Sequence, residues 1–269
     1  MPNELNAVVT QRIDVAPGLM VLQVKPDAWK ADFEPGQFAV VGLPRAAPRT
    51  PLSDAEPPAG KPEQLIRRAY SIASASRPGH HLELFVTLVR SGELTPRLFA
   101  LQPGARLWVG PKITGLFTLA DVPPDQHVAM VATGTGLAPY MSMLRTRLVA
   151  GGTRKLAVLV GARHSWDIGY VAELSTMQRL APELAFLPIV SRPEGEPAPW
   201  GGHVGHVQSL WTGGALEKAW GFKPTPADTH VFLCGSPAMT EDMTRLLLAE
   251  GFTVHEKGRP GQIHVEKYW

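Results

Sequence analysis

Residues 128–150 read VAMVATGTGLAPYMSMLRTRLVA: an unbroken apolar run, two glycines around a threonine, and a stretch spaced for a helix. An apolar run bounded by a turn suits a strand buried on both faces, and parallel neighbours need a helical crossover between them. The same texture continues to the end of the chain. KLAVLVGA (155–162) precedes YVAELSTMQRL (170–180), AFLPIVS covers 185–191, and VFLCGS (231–236) leads into MTEDMTRLLLAE (239–250). These runs predict a doubly wound parallel α/β sheet in the second half.

Upstream the apolar runs are short and strand-like, with turn residues between them. Residues 8–14 and 19–25 flank Pro17-Gly18 and read as a hairpin, and 37–43, 68–73, 82–89 and 106–109 are further strand candidates. Six short strands predict a small antiparallel barrel. The DVPPD stretch at 121–125 marks the change of texture, giving expected domains of 1–121 and 122–269. Between Pro44 and Pro62, RAAPRTPLSDAEPPAGK carries no periodicity and reads as a long exposed loop or local disorder.

A length of 269 residues agrees with two domains, and 44% hydrophobic against 19% charged residues is the balance of an ordinary globular chain. A net charge of +2 is too small for the polyelectrolyte attraction of non-specific nucleic-acid binding. Cys234 is the one cysteine, which excludes an intrachain disulfide, a CxxC redox motif, a thiolate zinc site and a cysteine-ligated iron–sulfur cluster. Any redox cofactor is then organic or haem. The start, MPNELNAVVTQRID, lacks the basic and apolar parts of a signal peptide. The uncharged stretch 128–144 is broken by Gly134, Gly136 and Pro139 and is short of the roughly 20 apolar residues of a membrane span. A cytoplasmic protein without membrane or nucleic-acid partners is expected.

The turn Gly134-Thr135-Gly136 between a strand and a helix lets backbone amides approach a pyrophosphate. The full dinucleotide fingerprint asks for a third glycine where Pro139 stands and an acid about 20 residues on; neither is present, so a plain tight turn fits as well. The strand ends say more. KLAVLVGA runs into Arg163 and AFLPIVS into Arg192, with Ser191 beside it. Two guanidiniums and a hydroxyl at neighbouring strand mouths suit a 2'-phosphate, so NADP is favoured over NAD, although each arginine alone also reads as a solvated strand end. In the first half, Thr95 is a good N-cap and Pro96 suits the first helical position, a second candidate phosphate site. Two sites in two domains mean two nucleotides. His203 and His206 lack the partners of a metal motif and read as surface histidines, so no metal is expected.

Arg68-Ala69-Tyr70-Ser71 resembles the FAD-binding RxYS motif of the ferredoxin–NADP reductase family, and GTGLAP (134–139), VSR (190–192), CGSPAM (234–239) and VEKYW (265–269) follow in that family's order. The match spans nearly the whole chain and is most similar to the bacterial ferredoxin/flavodoxin–NADP reductases. The resemblance implies a barrel holding FAD and an α/β domain holding NADP. Arg68 would hold the FAD pyrophosphate, Tyr70 would stack on the isoalloxazine, and Ser71 would hydrogen-bond near the reactive flavin nitrogen. Tyr70 by itself also reads as a core tyrosine. Ala69, Phe85, Glu93, Leu94 and Thr95 would complete the FAD contacts, with Thr135 from the other domain. Tyr268 and Trp269 would cover flavin and adenine, Arg145 sandwiching the adenine against Trp269.

For NADP the resemblance implies Thr133, Gly134, Ala162, Arg163, Ser191 and Arg192, with Ser236, Pro237 and Asp242 along the rest of the nucleotide. Cys234 and Gly235 would face the nicotinamide, and Cys234 reads equally as an inert buried thiol. Glu266 resembles the family's carboxylate near the flavin, a proton relay, which makes Tyr70, Ser71, Cys234 and Glu266 the expected catalytic set. Two departures stand out. His206 sits where related enzymes carry a further arginine, so preference for NADPH would weaken as pH rises through the imidazole titration. The Pro44–Pro62 segment is longer than usual. The implied activity is electron exchange between NADPH and a one-electron carrier, ferredoxin or flavodoxin, through FAD, in a monomer whose arginines and lysines steer an acidic carrier. The alternatives are an NADPH-dependent flavin reductase component serving an oxygenase or other acceptor, and a non-enzymatic NADPH-binding redox sensor.

Overall fold

Gly18 turns the chain at φ +80°, where a Cβ is disfavoured, and the strands on either side pair antiparallel as β1 (Ala7–Ala16) and β2 (Leu19–Pro26). This is the hairpin that Pro17-Gly18 predicts. β3 (Phe38–Pro44), β4 (Leu65–Ser71), β5 (Leu82–Thr87) and β6 (Arg106–Thr114) complete a sheet of order β4-β3-β6-β1-β2-β5. Its edges meet: Ile72 bridges Leu84, and the Ala73 amide donates to the Glu83 carbonyl at 2.8 Å. These bonds join the two ends of the sheet, and Met20, Leu22, Val41, Leu84 and Leu107 fill the interior. In β5, Leu82, Leu84 and Val86 point into that core while Glu83 and Phe85 lie on the other face and are buried too. Glu83 is covered by Arg145, whose Nη1 donates to Glu83 Oε1 at 2.6 Å and to the Ala73 carbonyl at 2.7 Å.

The structure, a computed structural model, describes residues 4–28, 33–57, 60–76 and 81–267. It groups them in two units, residues 1–118 with 141–146, and residues 119–140 with 147–269.

The described part of the Pro44–Pro62 segment is a loop exposed at most of its positions, which agrees with the first of its two readings and not with local disorder. It is anchored at its base: the amides of Arg45, Ala46, Thr50 and Asp54 donate to the carbonyls of Gln64, Pro62, Pro96 and Arg90 at 2.9–3.1 Å. Thr50 is buried, and the segment lies against the short helix α1 (Thr95–Leu98). Arginines and acids set among the prolines supply the anchors, and hydropathy periodicity is blind to them.

The second unit holds β7 (His127–Thr133), β8 (Leu156–Ala162), β9 (Leu184–Val190), β10 (His203–Val204), β11 (Thr229–Cys234) and β12 (Ile263–Glu266), all parallel in the order β10-β9-β8-β7-β11-β12. Its helices are α2 (Ala138–Arg147, in part grouped with the first unit), α3 (Val171–Leu180), α4 (Gln208–Thr212), α5 (Ala215–Trp220) and α6 (Pro237–Ala249). The sequence reading anticipates α2, α3 and α6 and the four long strands. It misses β10, β12, α4 and α5, which are too short to carry a period. Strand order reverses at β7, so the carboxyl end of β7 is the switch point where ligands of open α/β sheets bind. No helix among the described residues is long and apolar enough to cross a membrane.

At the β11–β12 edge, His230 Nδ1 lies 2.9 Å from His264 Nε2, and the His264 ring stacks on Phe232 and His255 with centroids 4.2 and 4.5 Å apart. Burial holds His230 down at about 4 and His264 at about 3, and the neighbouring His255 pushes the same way. The unfolded chain therefore binds protons that the folded chain refuses, and stability falls as pH drops from about 6.5 towards 4. Thermal midpoints of His264→Gln are expected to fall less steeply than wild type across that range; parallel slopes would contradict the assignment.

Candidate functional site

At the carboxyl end of β7 the two glycines serve different ends. Gly134 adopts φ +55° with open space around its missing Cβ, whereas a Cβ on Gly136 would sit 2.0 Å from the Cys234 carbonyl oxygen. Gly235 faces back in the same way, with φ +150° and Thr133 Oγ1 2.2 Å from its would-be Cβ. Thr133 Oγ1 then accepts from the Ser236 amide at 2.8 Å. Thr133–Gly136 and Cys234–Ser236 are thus locked backbone to backbone. Ser236 is the N-cap of α6, accepting from the Met239 amide at 3.3 Å, with Pro237 following in the first turn. Asp242 of α6 is engaged nearby: its Oδ1 takes Arg245 Nη2 at 2.9 Å.

Cys234 is fully buried, as one reading of it required, and its strand register puts it opposite Glu266. The thiol donates to Glu266 Oε2 at 3.6 Å, so these two sequence-predicted residues do meet.

At the mouths of β8 and β9 the backbone is cross-tied. The Ser191 amide donates to the Ala162 carbonyl at 3.0 Å, its hydroxyl to the same oxygen at 3.3 Å, and the Arg192 amide to the Arg163 carbonyl at 2.9 Å. Both guanidiniums are exposed, and neither forms an ion pair among the described residues. Two contacts here escape the sequence reading. Glu196 accepts from the Ser165 amide and hydroxyl, each at 2.6 Å, which latches the two loops together. The His164 and Trp166 rings stack with centroids 4.4 Å apart and planes 8° apart. His206 is exposed, and its carbonyl accepts from the Ser209 amide and hydroxyl just before α4.

In the first unit, β4 exposes Arg67, Arg68 and Ala69 in succession, while Tyr70 is half-buried against the barrel core and Ser71 is buried. Burial raises the Tyr70 phenol above its ordinary range, with Arg68 opposing weakly. Arg68 Nη2 donates to Glu93 Oε2 at 2.9 Å, and Arg45 Nη1 meets Glu93 Oε1 at 2.8 Å. These contacts hold the Glu93 carboxyl below its usual value, Arg45 contributing most. Thr95 is not the helix cap expected. Leu94, buried, stands at the cap position without a side-chain bond, and Thr95 Oγ1 instead accepts from the Val89 amide at 2.9 Å and donates to its carbonyl at 3.1 Å. Thr95 is already the first helical residue, and its hydroxyl is held on the preceding turn. Phe85 is 3% exposed, Thr135 is half-buried in the glycine turn, and Arg145 is tied to Glu83. Tyr268 and Trp269, and with them the Arg145–Trp269 sandwich, lie outside the described residues.

A closed antiparallel barrel followed by a parallel sheet, with a glycine turn at the strand-order reversal, marks a nucleotide-dependent oxidoreductase, and the model of the oxidoreductase NAD-binding domain matches residues 130–245. The chain is 31% identical over 239 residues to the flavodoxin/ferredoxin–NADP reductase of Shigella flexneri, covering 88% of both chains. It is 38% identical over 238 residues to ferredoxin–NADP reductase B of Sorangium cellulosum, covering 88% of this chain and 85% of the relative. A crystal structure of a ferredoxin NADP+ reductase from Neisseria gonorrhoeae with bound FAD and NADP has the same fold, with TM-score 0.80, 23% identity and 98% of each chain covered. The chain belongs to the ferredoxin–NADP reductase family.

Proposed function

We propose that the protein is an FAD-dependent reductase exchanging electrons between NADPH and a one-electron carrier, ferredoxin or flavodoxin, acting as a cytoplasmic monomer. The observation that carries this is the pair of exposed arginines Arg163 and Arg192, without ion pairs among the described residues and with their backbones tied together at adjacent strand mouths, in a chain of this family. A phosphate monoester is what such a fork recognises, and the 2'-phosphate distinguishes NADPH from NADH. Ser191 adds a hydroxyl, and Thr133, Gly134, Ala162, Gly235, Ser236, Pro237 and Asp242 lie along the rest of the nucleotide, with His206 at the rim.

The first unit fits a flavin nucleotide. Arg68 takes its phosphates with the backbone of the Glu93–Thr95 stretch, Tyr70 offers a flat face, and Ala69, Ser71, Phe85 and Arg145 complete its contacts within this unit. When bound, FAD supplies the exchange between a two-electron donor and a one-electron acceptor. The protein's part is to orient and to move protons: Ser71 donates or accepts one hydrogen bond, and Glu266, opposite Cys234, is the exchanging carboxyl.

Arg163→Ala and Arg192→Ala are each expected to raise KM for NADPH by about ten- to a hundredfold, with kcat and the NADH reaction little changed. Steady-state diaphorase kinetics with both nucleotides test this. An equal loss with NADH would remove the 2'-phosphate assignment.

A further inference from the structure

Two arginine–carboxylate–arginine groups sit side by side at the base of the Pro44–Pro62 segment. In one, Arg45 and Arg68 share Glu93, at 2.8 and 2.9 Å; in the other, Arg49 and Arg97 share Glu56, at 3.3 and 2.6 Å. The groups are joined, because Arg97 Nε donates to the Arg45 carbonyl at 3.1 Å and Arg97 Nη1 to the Glu93 carbonyl at 2.6 Å. Arg97 further pulls the Glu56 carboxyl below its usual range, so both acids are ionised near neutrality. Four guanidiniums then face two carboxylates, and two positive charges are left over.

Three of the four arginine side chains are mostly withdrawn from water, with relative exposures of 18% for Arg45, 15% for Arg49 and 3% for Arg97. Excess charge in such a place is unfavourable unless an anion joins it. The adjacent Arg90–Asp54 pair is neutral in itself and does not supply one. Arg45 is held firmly in place, its amide bound to Gln64 and its carbonyl to Arg97, while its Nε is buried without a hydrogen-bond partner.

We propose that Arg45 is a second guanidinium ligand, beside Arg68, for the diphosphate of the flavin nucleotide, and that Glu93 is a stand-in counter-ion which holds both arginines until the nucleotide arrives. The diphosphate linkage of FAD carries two negative charges, the number the cluster lacks. The assignment rests on the FAD reading and extends the nucleotide seat into the proline-rich segment, to which that reading gives no role.

The test titrates the full-length protein, stripped of flavin, with FAD and with riboflavin, which has the same ring and no phosphate, following quenching of flavin fluorescence. Arg45→Ala is expected to raise the Kd for FAD by about tenfold or more, leaving riboflavin within about twofold. Glu93→Gln, which removes a competing charge and no guanidinium, is expected to tighten FAD by roughly two- to fivefold. If Arg45→Ala does not fold, Glu93→Gln still decides: tightening supports the proposal, and weakening shows Glu93 to be a structural brace and overturns it. Wild-type affinity for FAD in Arg45→Ala also overturns it. A wild-type protein that binds riboflavin but gains nothing from the diphosphate defeats this proposal alone, whereas one that binds no flavin defeats the FAD reading and the proposal together.

Discussion

Arg97→Ala is expected to lower the unfolding free energy by about 3–5 kcal/mol, the usual loss when one partner of a buried charge network is removed. The side chain is 3% exposed and every donor it has is used. Its Nη1 reaches Glu56 Oε1 at 3.1 Å and the Glu93 carbonyl at 2.6 Å; its Nη2 reaches Glu56 Oε2 at 2.6 Å; and the Arg45 carbonyl takes both Nε and Nη2. Alanine leaves two carbonyls and a carboxylate without these donors, and frees the base of the 44–62 segment. Arg97→Lys should recover only part, because three donors on one nitrogen cannot replace five spread over a planar fork that reaches Glu56 and the carbonyls of Arg45 and Glu93. The Glu56 carboxyl is held low chiefly by its bond to Arg97, so its stabilisation is present above the ordinary carboxyl pKa and disappears as pH falls through the lowered one. The gap between wild type and Arg97→Ala should therefore narrow in acid. Urea denaturation at pH 7 and pH 4 measures both effects, and a difference under about 1 kcal/mol at pH 7 would contradict the network.

Gly136→Ala carries the second large effect. A methyl group there lands 2.0 Å from the Cys234 oxygen and 2.4 Å from its carbonyl carbon, both backbone atoms of a central strand that cannot swing aside. Overpacking usually costs about 1–3 kcal/mol and more where backbone must move. Relief requires the glycine turn to part from the end of β11, which also separates Thr133 from the Ser236 amide and Gly235. Gly134→Ala meets no atoms and suffers only its positive φ, a milder change of about 1 kcal/mol. Thermal unfolding and NADPH titration should thus rank Gly136→Ala well below Gly134→Ala; the reverse order would remove the close-approach argument.

The difference between these glycines shows what the sequence could and could not tell. Gly-Thr-Gly after an apolar run located the turn, but which glycine answers to conformation and which to contact depends on Cys234, about a hundred residues away in the chain. The barrel was legible from short apolar runs set between turn residues, and the parallel sheet from apolar runs separated by helical stretches. The short β10 and β12 were silent, since two and four residues hold no period. Arg163 and Arg192 could be placed at strand mouths from pattern alone. Arg45, Arg49, Glu56 and Arg97 could not be joined, because ion pairing across a proline-rich segment leaves no periodic trace. Thr95 failed for a related reason: a Ser/Thr-Pro step signals a helix start, yet the hydroxyl had a closer backbone partner in Val89.

The most direct measurement is anaerobic stopped-flow mixing of the flavin-loaded protein with NADPH or NADH, followed by oxidised ferredoxin or flavodoxin. The account predicts that NADPH bleaches the flavin absorbance at least about tenfold faster than NADH does, and that adding the carrier restores it. A bound flavin that NADPH leaves unbleached, or a bleached one that neither carrier reoxidises, would contradict it.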